Sequence, residues 1–417
     1  NIRQELEPPK DHGGQKDRYN YSVQQYADIV HAVARAALLA AKAEDVVAVA
    51  VEEVRRGRKP VIFADMTGES GVQRWLEKSE DYEVGSEVDA ASITFAEYLD
   101  YAIDRLRTIA VSDPALETNK KTIARYRLTD ADLEAYGIGW AVAEIESIME
   151  EAREVLQDLP GSPYDYVINR LRQEGIRAAE LSGRTVEMTY ESDPREPGAK
   201  ARIESRNQTA AMRNEARDSF NSGTTDVLLY NSSAATGVDM HAGENFADQR
   251  QRVFLGWQAA GDITTQVQAF GRINRTGQVA QPNTNARRFD QEQYGPPEFY
   301  MLYADVPVEQ KTRAIVAAKM QQLGALTAAS SRSATNLEAV DPIMNKYGDQ
   351  AAKTALSQLD PGIEEALQMT GSANAGFAGR MANRALALTV AEQRELFDSL
   401  DNNYAAIVAQ LNAEGRN

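Results

Sequence analysis

Two arginines three residues apart, Arg272 and Arg275, with Gln268 four residues before the first, are the side chains here best suited to chemistry. Spacings of three and four put residues on neighbouring helical turns, so all three polar heads are expected on one side of a helix. Such a face suits a nucleoside triphosphate held by another domain. A guanidinium is planar, permanently charged and forked, so it can neutralise charge building on the oxygens of a transferring phosphoryl group. Fingers of this kind contribute on the order of 10³ to 10⁵ in rate where enzymes use them. Phe270 and Ile273 fall between the polar positions as the expected buried side, Gly271 permits close approach, and Thr276-Gly277-Gln278 is expected to stop the helix. A solvated face is the plainer reading of an isolated arginine pair; the surrounding residues set it aside.

The elements that must hold such a face are legible as short apolar runs followed by polar loops. Pro60 to Ala64, Asp226 to Tyr230, Val253 to Trp257 and Phe299 to Tyr303 read as strands, and the first reads as a buried parallel one. Asp65 to Ser70 follows the first run with Thr67 and Gly68 in it, either a ligand-facing loop or an ordinary turn with a capping hydroxyl. Asn231 to Asp239, with Thr236 and Gly237, is either a loop small enough for backbone amides to approach a phosphate or simply a solvated one. Tyr21 to Arg56 and Tyr166 to Leu171 have helical periodicity, and Gly175 to Arg184 reads as a strand ending in a polar loop. Arg202, Arg206, Arg213 and Arg217 form a basic stretch, suited to a nucleic-acid backbone or to a plain amphipathic helix.

The expected organisation is a polar linker over 1–20, an α/β domain over 21–71 and 159–306, a helical insertion over 72–158, and a helical carboxy-terminal region over 307–417. Within the insertion, Tyr98, Leu99, Ala102, Ile103, Leu106 and Ile109 make one apolar stripe. A second stripe, including Val142, Ile148, Met149 and Val155, is expected to be core in the same way.

Composition narrows the chemistry. With 417 residues and 43% apolar content the chain can bury a sizeable core. No cysteine is present and His12, His31 and His241 are scattered, so a thiolate or zinc site is not expected. No apolar run has the length that spans a bilayer, and no membrane partner is expected. A net charge of −17 opposes a nonspecific nucleic-acid coat, whose affinity grows with the number of phosphates neutralised. The first residue is Asn, and the chain reads as a piece of something longer or a processed product.

The string Gln268-Ala-Phe-Gly-Arg-Ile-Asn-Arg-Thr-Gly-Gln278 resembles the sixth motif of superfamily 2 helicases, in the form found in Swi/Snf-type remodellers. Taken with Thr67-Gly-Glu69, Leu159-Pro160, Ser182-Gly-Arg184, Thr236-Gly237, Leu323-Gly-Ala-Leu-Thr327, Asn345-Lys-Tyr-Gly348 and Val390-Ala-Glu-Gln393, the chain resembles the carboxy-terminal helicase domain of the strawberry notch family, whose members include phage and plasmid proteins. That resemblance implies a RecA-like parallel sheet flanked by helices, the second of two motor domains. It implies that Gln268, Arg272 and Arg275 face the γ-phosphate of ATP, with Arg275 as first choice of finger and Gly271 beside them. Gly237 and Asp239 would couple nucleotide to nucleic acid, and Thr67, Gly68, Arg184 and Thr236 would lie along the tracked DNA strand. Asn231 stands where many relatives carry Thr or Ser.

No Gly-Lys-Ser/Thr follows a strand, and no Asp-Glu pair is placed to hold magnesium. ATP and Mg²⁺ are therefore expected to be held mainly by an amino-terminal RecA-like Walker A/B domain of the same or another chain, and this chain alone is not expected to hydrolyse ATP. A cytoplasmic setting, in a bacterial host or delivered by a phage, is the matching expectation. The alternative is a non-catalytic RecA-like interaction module of a larger phage or virion-associated assembly.

Overall fold

A computed structural model describes residues 23–112, 123–135, 139–194, 196–206, 209–234, 238–260, 263–275, 296–311, 313, 343, 345–367, 369 and 376–415. The expected linker over 1–20, Thr236-Gly237, Thr276 to Gln278 and Leu323 to Thr327 lie outside the described residues. The chain divides into two units, 38–94 with 159–342, and 1–37 with 95–158 and 343–417.

In the first unit, strands β1 (Lys59–Phe63), β5 (Ala178–Leu181), β8 (Val227–Tyr230), β9 (Arg252–Gly256) and β10 (Glu298–Met301) form one sheet in the order β10-β9-β1-β8-β5. Every neighbouring pair is parallel, with Val61 opposite both Leu228 and Phe254. The expected RecA-like parallel sheet is thus present. Its central strands are apolar along their length because helices cover both faces. One face carries Ile62, Leu229 and Leu255 against α2 (Ala43–Arg55) and α7 (Pro163–Gln173). The other carries Phe63, Leu228 and Phe254 against α8 (Ala210–Ser222) and α9 (Ile263–Phe270). Near the end of the helix before α2, α1 (Val23–Ala41), the Leu39 carbonyl accepts from the indole N–H of Trp257, at 2.9 Å.

A smaller antiparallel sheet, β2 (Glu87–Asp89), β7 (Lys200–Ser205) and β6 (Val186–Tyr190), packs Val186, Met188, Ala201 and Ile203 against Val72 and Trp75 of α3 (Glu69–Lys78). Alternate residues point to opposite faces of a strand, so this sheet buries one side only.

In the second unit, α4 (Phe95–Leu106) packs on α6 (Gly139–Leu156). Between them in sequence lie the hairpin β3 (Thr108–Ser112) with β4 (Ile123–Arg127), and the short α5 (Asp130–Ala135). The stretch read as helical, 72–158, therefore also contains strands, and Ile109 belongs to one of them. The second stripe departs from its expectation too. Val142 and Met149 are buried, whereas Ile148 is 57% and Val155 79% exposed, because they sit about 100° to 120° round the helix from Met149. The carboxy-terminal helices α10 (Lys346–Gln358), α11 (Pro361–Leu367), α12 (Phe377–Arg384) and α13 (Val390–Ala413) pack around α10. Two of the motifs prove to be structural here. Asn345 caps α10 through the amides of Tyr347 and Gly348, where a Cβ would strike the Ile343 carbonyl, and Glu392 completes a capping box with Thr389 at the start of α13.

Candidate functional site

The arginines stand on a tight turn. The last four-residue hydrogen bond of α9 runs from Gly271 N to Val267 O at 2.9 Å; Arg272 N and Ile273 N then reach back only three residues, to Ala269 O and Phe270 O. The helix closes at Phe270, so Gln268, Arg272 and Arg275 do not share one helical face as expected. Gln268 is exposed on the last turn, and the arginines project from the turn that follows, anchored by the fully buried Ile273.

Arg275 is engaged within the chain. Its Nε donates to Gly271 O at 3.1 Å, satisfying a carbonyl freed by the end of the helix, and its Nη1 lies 2.6 Å from Asp239 Oδ1. That ion pair is half-exposed, 37% and 41% for the two side chains. Arg272 is different. Among the described residues its guanidinium makes no hydrogen bond or ion pair, and its Nε is buried without an acceptor. Burial and the neighbouring Arg275 charge push its pKa down, against the pull of Asp239. A buried N–H with no partner is costly, about 1 to 3 kcal/mol. Gly271 lies beside it, and a Cβ there would meet only Val267 O at 3.4 Å and Gln268 O at 3.5 Å, so the domain itself does not demand glycine.

Behind the turn, Met240 N donates to Arg272 O at 3.0 Å, and Asn221 Nδ2 holds Asp239 O at 2.9 Å. Met240 O takes Arg252 Nε at 2.9 Å, which ties the turn to the first residue of β9 and so to the amino-terminal edge of the sheet. A charged cluster that the sequence did not disclose is buried there. Lys59 and Arg252 are fully buried, both converge on Asp248, at 2.5 and 3.3 Å, and both lie over the ring of Phe220. Burial pushes the Lys59 ammonium down to about 8. Burial alone would raise Asp248, but the hydrogen bonds from Arg250 and Lys59 and the Arg252 charge outweigh it and hold the carboxyl well below the usual range. A lysine opening an apolar run was the only visible signal. His241 adjoins this edge, its Nδ1 buried without a partner and its pKa lowered by burial.

The other expected contacts lie at the carboxyl ends of the strands. Gly68 has φ 78°, a left-handed conformation, and a Cβ there would come within 2.6 Å of Pro163 Cδ. Thr67 beside it is half-buried. Glu69 Oε1 accepts from Thr185 N at 2.6 Å, Thr185 Oγ1 at 2.7 Å and Val186 N at 3.1 Å, so the Thr67 to Glu69 and Ser182 to Arg184 motifs are locked to each other. Arg184 corrects its expectation. It is 2% exposed, its Nη1 and Nη2 fork onto Asp165 at 2.9 and 2.8 Å, and its Nε meets Glu180 at 2.8 Å. Both carboxylates outweigh burial and raise its pKa, so the guanidinium is consumed inside the domain and fixes the loop in place of touching a strand. The basic stretch is likewise dispersed: Arg206 pairs with Glu187, Arg217 pairs with Asp218, and Arg202 lies 4.0 Å from Glu87.

The structure thus brings Arg272, Arg275, Asp239 and Gly271 together at one edge and Thr67, Gly68 and Arg184 at the other. Among the described residues no three His, Asp or Glu side chains are grouped to hold a metal ion, and no helix is long and apolar enough to cross a membrane.

Comparison with known proteins fits this arrangement. The strawberry notch protein of Drosophila melanogaster is 26% identical over 212 residues, 51% of this chain and 12% of that protein. Strawberry notch homolog 1 of Homo sapiens is 22% identical over 308 residues, 65% of this chain and 20% of that protein. FORGETTER 1 of Arabidopsis thaliana is 23% identical over 226 residues, 53% of this chain and 16% of that protein. The matched part of the chain therefore spans about an eighth to a fifth of the length of these relatives, which come from animals and a plant and lend no support to a phage or plasmid origin. No solved structure matches. The family described as the C-terminal domain on strawberry notch homologues matches residues 162–417, most of the chain, and the chain belongs to that family of carboxy-terminal helicase domains.

Proposed function

We propose that this chain is the second motor domain of an ATP-dependent superfamily 2 DNA helicase or translocase, completed by a Walker A/B domain that holds ATP and Mg²⁺. The observation that carries this reading is Arg272, a guanidinium with a buried, acceptorless Nε beside the turn that also bears Arg275. A γ-phosphate oxygen would supply the missing acceptor. Bound ATP with its metal supplies the phosphoryl group; the residues of this chain orient it and neutralise charge growing on its oxygens. Arg275 can join only by leaving Asp239, an exchange that costs little because a half-exposed pair contributes about 0.2 to 1 kcal/mol. Gly271, which carries no side chain, would let the partner domain approach the turn closely. Thr67 and Gly68, at the carboxyl ends of the strands, and Thr236 are the proposed DNA contacts, Gly237 and Asp239 would couple nucleotide to nucleic acid, and Arg184 supports the loop from within.

A second reading is favoured by two observations: the Arg275–Asp239 pair within the chain and the net charge of −17 both suit a RecA-like module kept for protein binding. DNA-stimulated ATP turnover separates the two. This chain alone is expected to give none, and the protein that joins it to a Walker A/B domain is expected to turn ATP over when DNA is added. No turnover by the joined protein would leave the binding module as the account.

A further inference from the structure

The outer edge of β5 borders a cleft of about 250 Å³ walled by α7 on one side and by β6 and β7 on the other. Arg177 and Leu181 give their carbonyls to Asp226, Val227 and Asn231, on the β8 side, so alternation along the strand turns the main chain of Ala178 and Glu180 the other way, toward the cleft. Arg206 Nη2 meets Glu180 O at 3.3 Å from that side. Among the described residues nothing pairs with the outward N–H and C=O of Ala178, and Ala178 and Ala179 leave the edge unobstructed by large side chains. An open strand edge is a template for another extended chain.

The cleft walls also hold polar atoms short of partners. Arg206 Nε is buried without an acceptor, and the hydroxyl of Tyr190, a residue 9% exposed, meets only the Met188 sulfur at 3.9 Å. The charges around the cleft decide the occupant. Asp165 and Glu180 share Arg184, and Arg206 pairs with Glu187 and lies 3.7 Å from Glu180; among the described residues Glu204 accepts only from the Thr189 hydroxyl, at 2.9 Å, and Arg172 on the α7 wall makes no ion pair. Four carboxylates against three guanidiniums leave the cleft and its network net negative, and Glu204, on the β6–β7 wall, is the carboxylate with no guanidinium of its own, so that wall calls for a cation.

We propose that this cleft receives an extended peptide segment that adds to the edge of β5 through its main chain and directs a lysine or arginine side chain to Glu204. A cleft of about 250 Å³ takes a short linear motif and not a domain. The surface is separate from the arginine turn and does not depend on the proposed motor function.

The test uses the full chain and a dye-labelled, end-blocked hexapeptide alternating Lys and Val, followed by fluorescence polarisation, with an alternating Glu and Val peptide as control. Ala178→Pro removes the outward N–H at the first residue of an edge strand, where proline is tolerated. Glu204→Lys reverses the charge on the wall. Each is expected to weaken the basic peptide at least about tenfold, as loss of one good hydrogen bond or charge contact does. The unsubstituted chain gives a second readout that does not depend on a variant folding: the amides of Ala178 and Glu180 are expected to exchange more slowly with the peptide bound. Equal binding of the acidic peptide, binding that survives both substitutions, or exchange at Ala178 unchanged by saturating peptide would overturn the proposal.

Discussion

A guanidinium that is 2% exposed must be matched by carboxylates, and Arg184 is matched by two, Asp165 and Glu180. Arg184→Met keeps the volume and removes the charge, which leaves both carboxylates facing each other in the interior. A loss of about 3 to 5 kcal/mol is expected in urea unfolding; an unchanged midpoint would show that this network does not hold the loop. The Asp248 carboxyl makes a pH prediction. Its folded pKa lies below its unfolded value of about 3.9, so its contribution is complete above that pH and disappears as the pH falls below it. Unfolding free energy should therefore drop below about pH 4, and Asp248→Asn should flatten that slope. An identical acid slope in the variant would place the proton uptake elsewhere. At this scale the spacing of Gln268, Arg272 and Arg275 reads as one helical face, but spacing cannot say where a helix stops, and α9 stops at Phe270. Nor could it show that Asp239 holds one arginine and not the other, since that selection is made by a loop folding back from β8.

Two glycines separate what an element needs from what a partner needs. Gly68 caps α3 with φ 78° and leaves no room for a Cβ beside Pro163, so Gly68→Ala is expected to lower stability by about 1 to 3 kcal/mol in thermal or urea unfolding. Gly271 has ordinary room for a Cβ, so Gly271→Ala is expected to leave unfolding within about 0.5 kcal/mol of the parent while lowering ATP turnover of the joined protein. Equal loss of stability in both would contradict this division. The strands were the elements most legible in the sequence. Val61 to Phe63, Val227 to Tyr230 and Val253 to Leu255 are apolar throughout because both faces of a parallel sheet are covered. Less legible was 72–158, where Ile109 continues a helical stripe yet sits in a hairpin, and where Ile148 and Val155 share a periodicity with Met149 without sharing its burial. Periodicity marks a face about 100° wide, and residues at its margin are decided by the neighbouring element.

Under the proposed function the whole chain would carry the arginine half of a motor and receive its nucleotide from another domain. Its composition allows this: net charge of −17 leaves little general attraction for DNA, so under that proposal affinity would rest on a few positions such as Thr67 and Gly68 and on the other domain. The relatives it matches are about three to four times longer, which leaves room for a nucleotide-holding domain in those proteins. The most direct test of the account is the single-turnover rate of ATP hydrolysis with DNA present, in the protein joining this chain to its Walker A/B domain, with and without Arg272→Ala. The account predicts a fall on the order of 10³ with ATP affinity little changed, because the guanidinium acts on charge that appears only as the phosphoryl group transfers. A rate equal to that of the parent would contradict it.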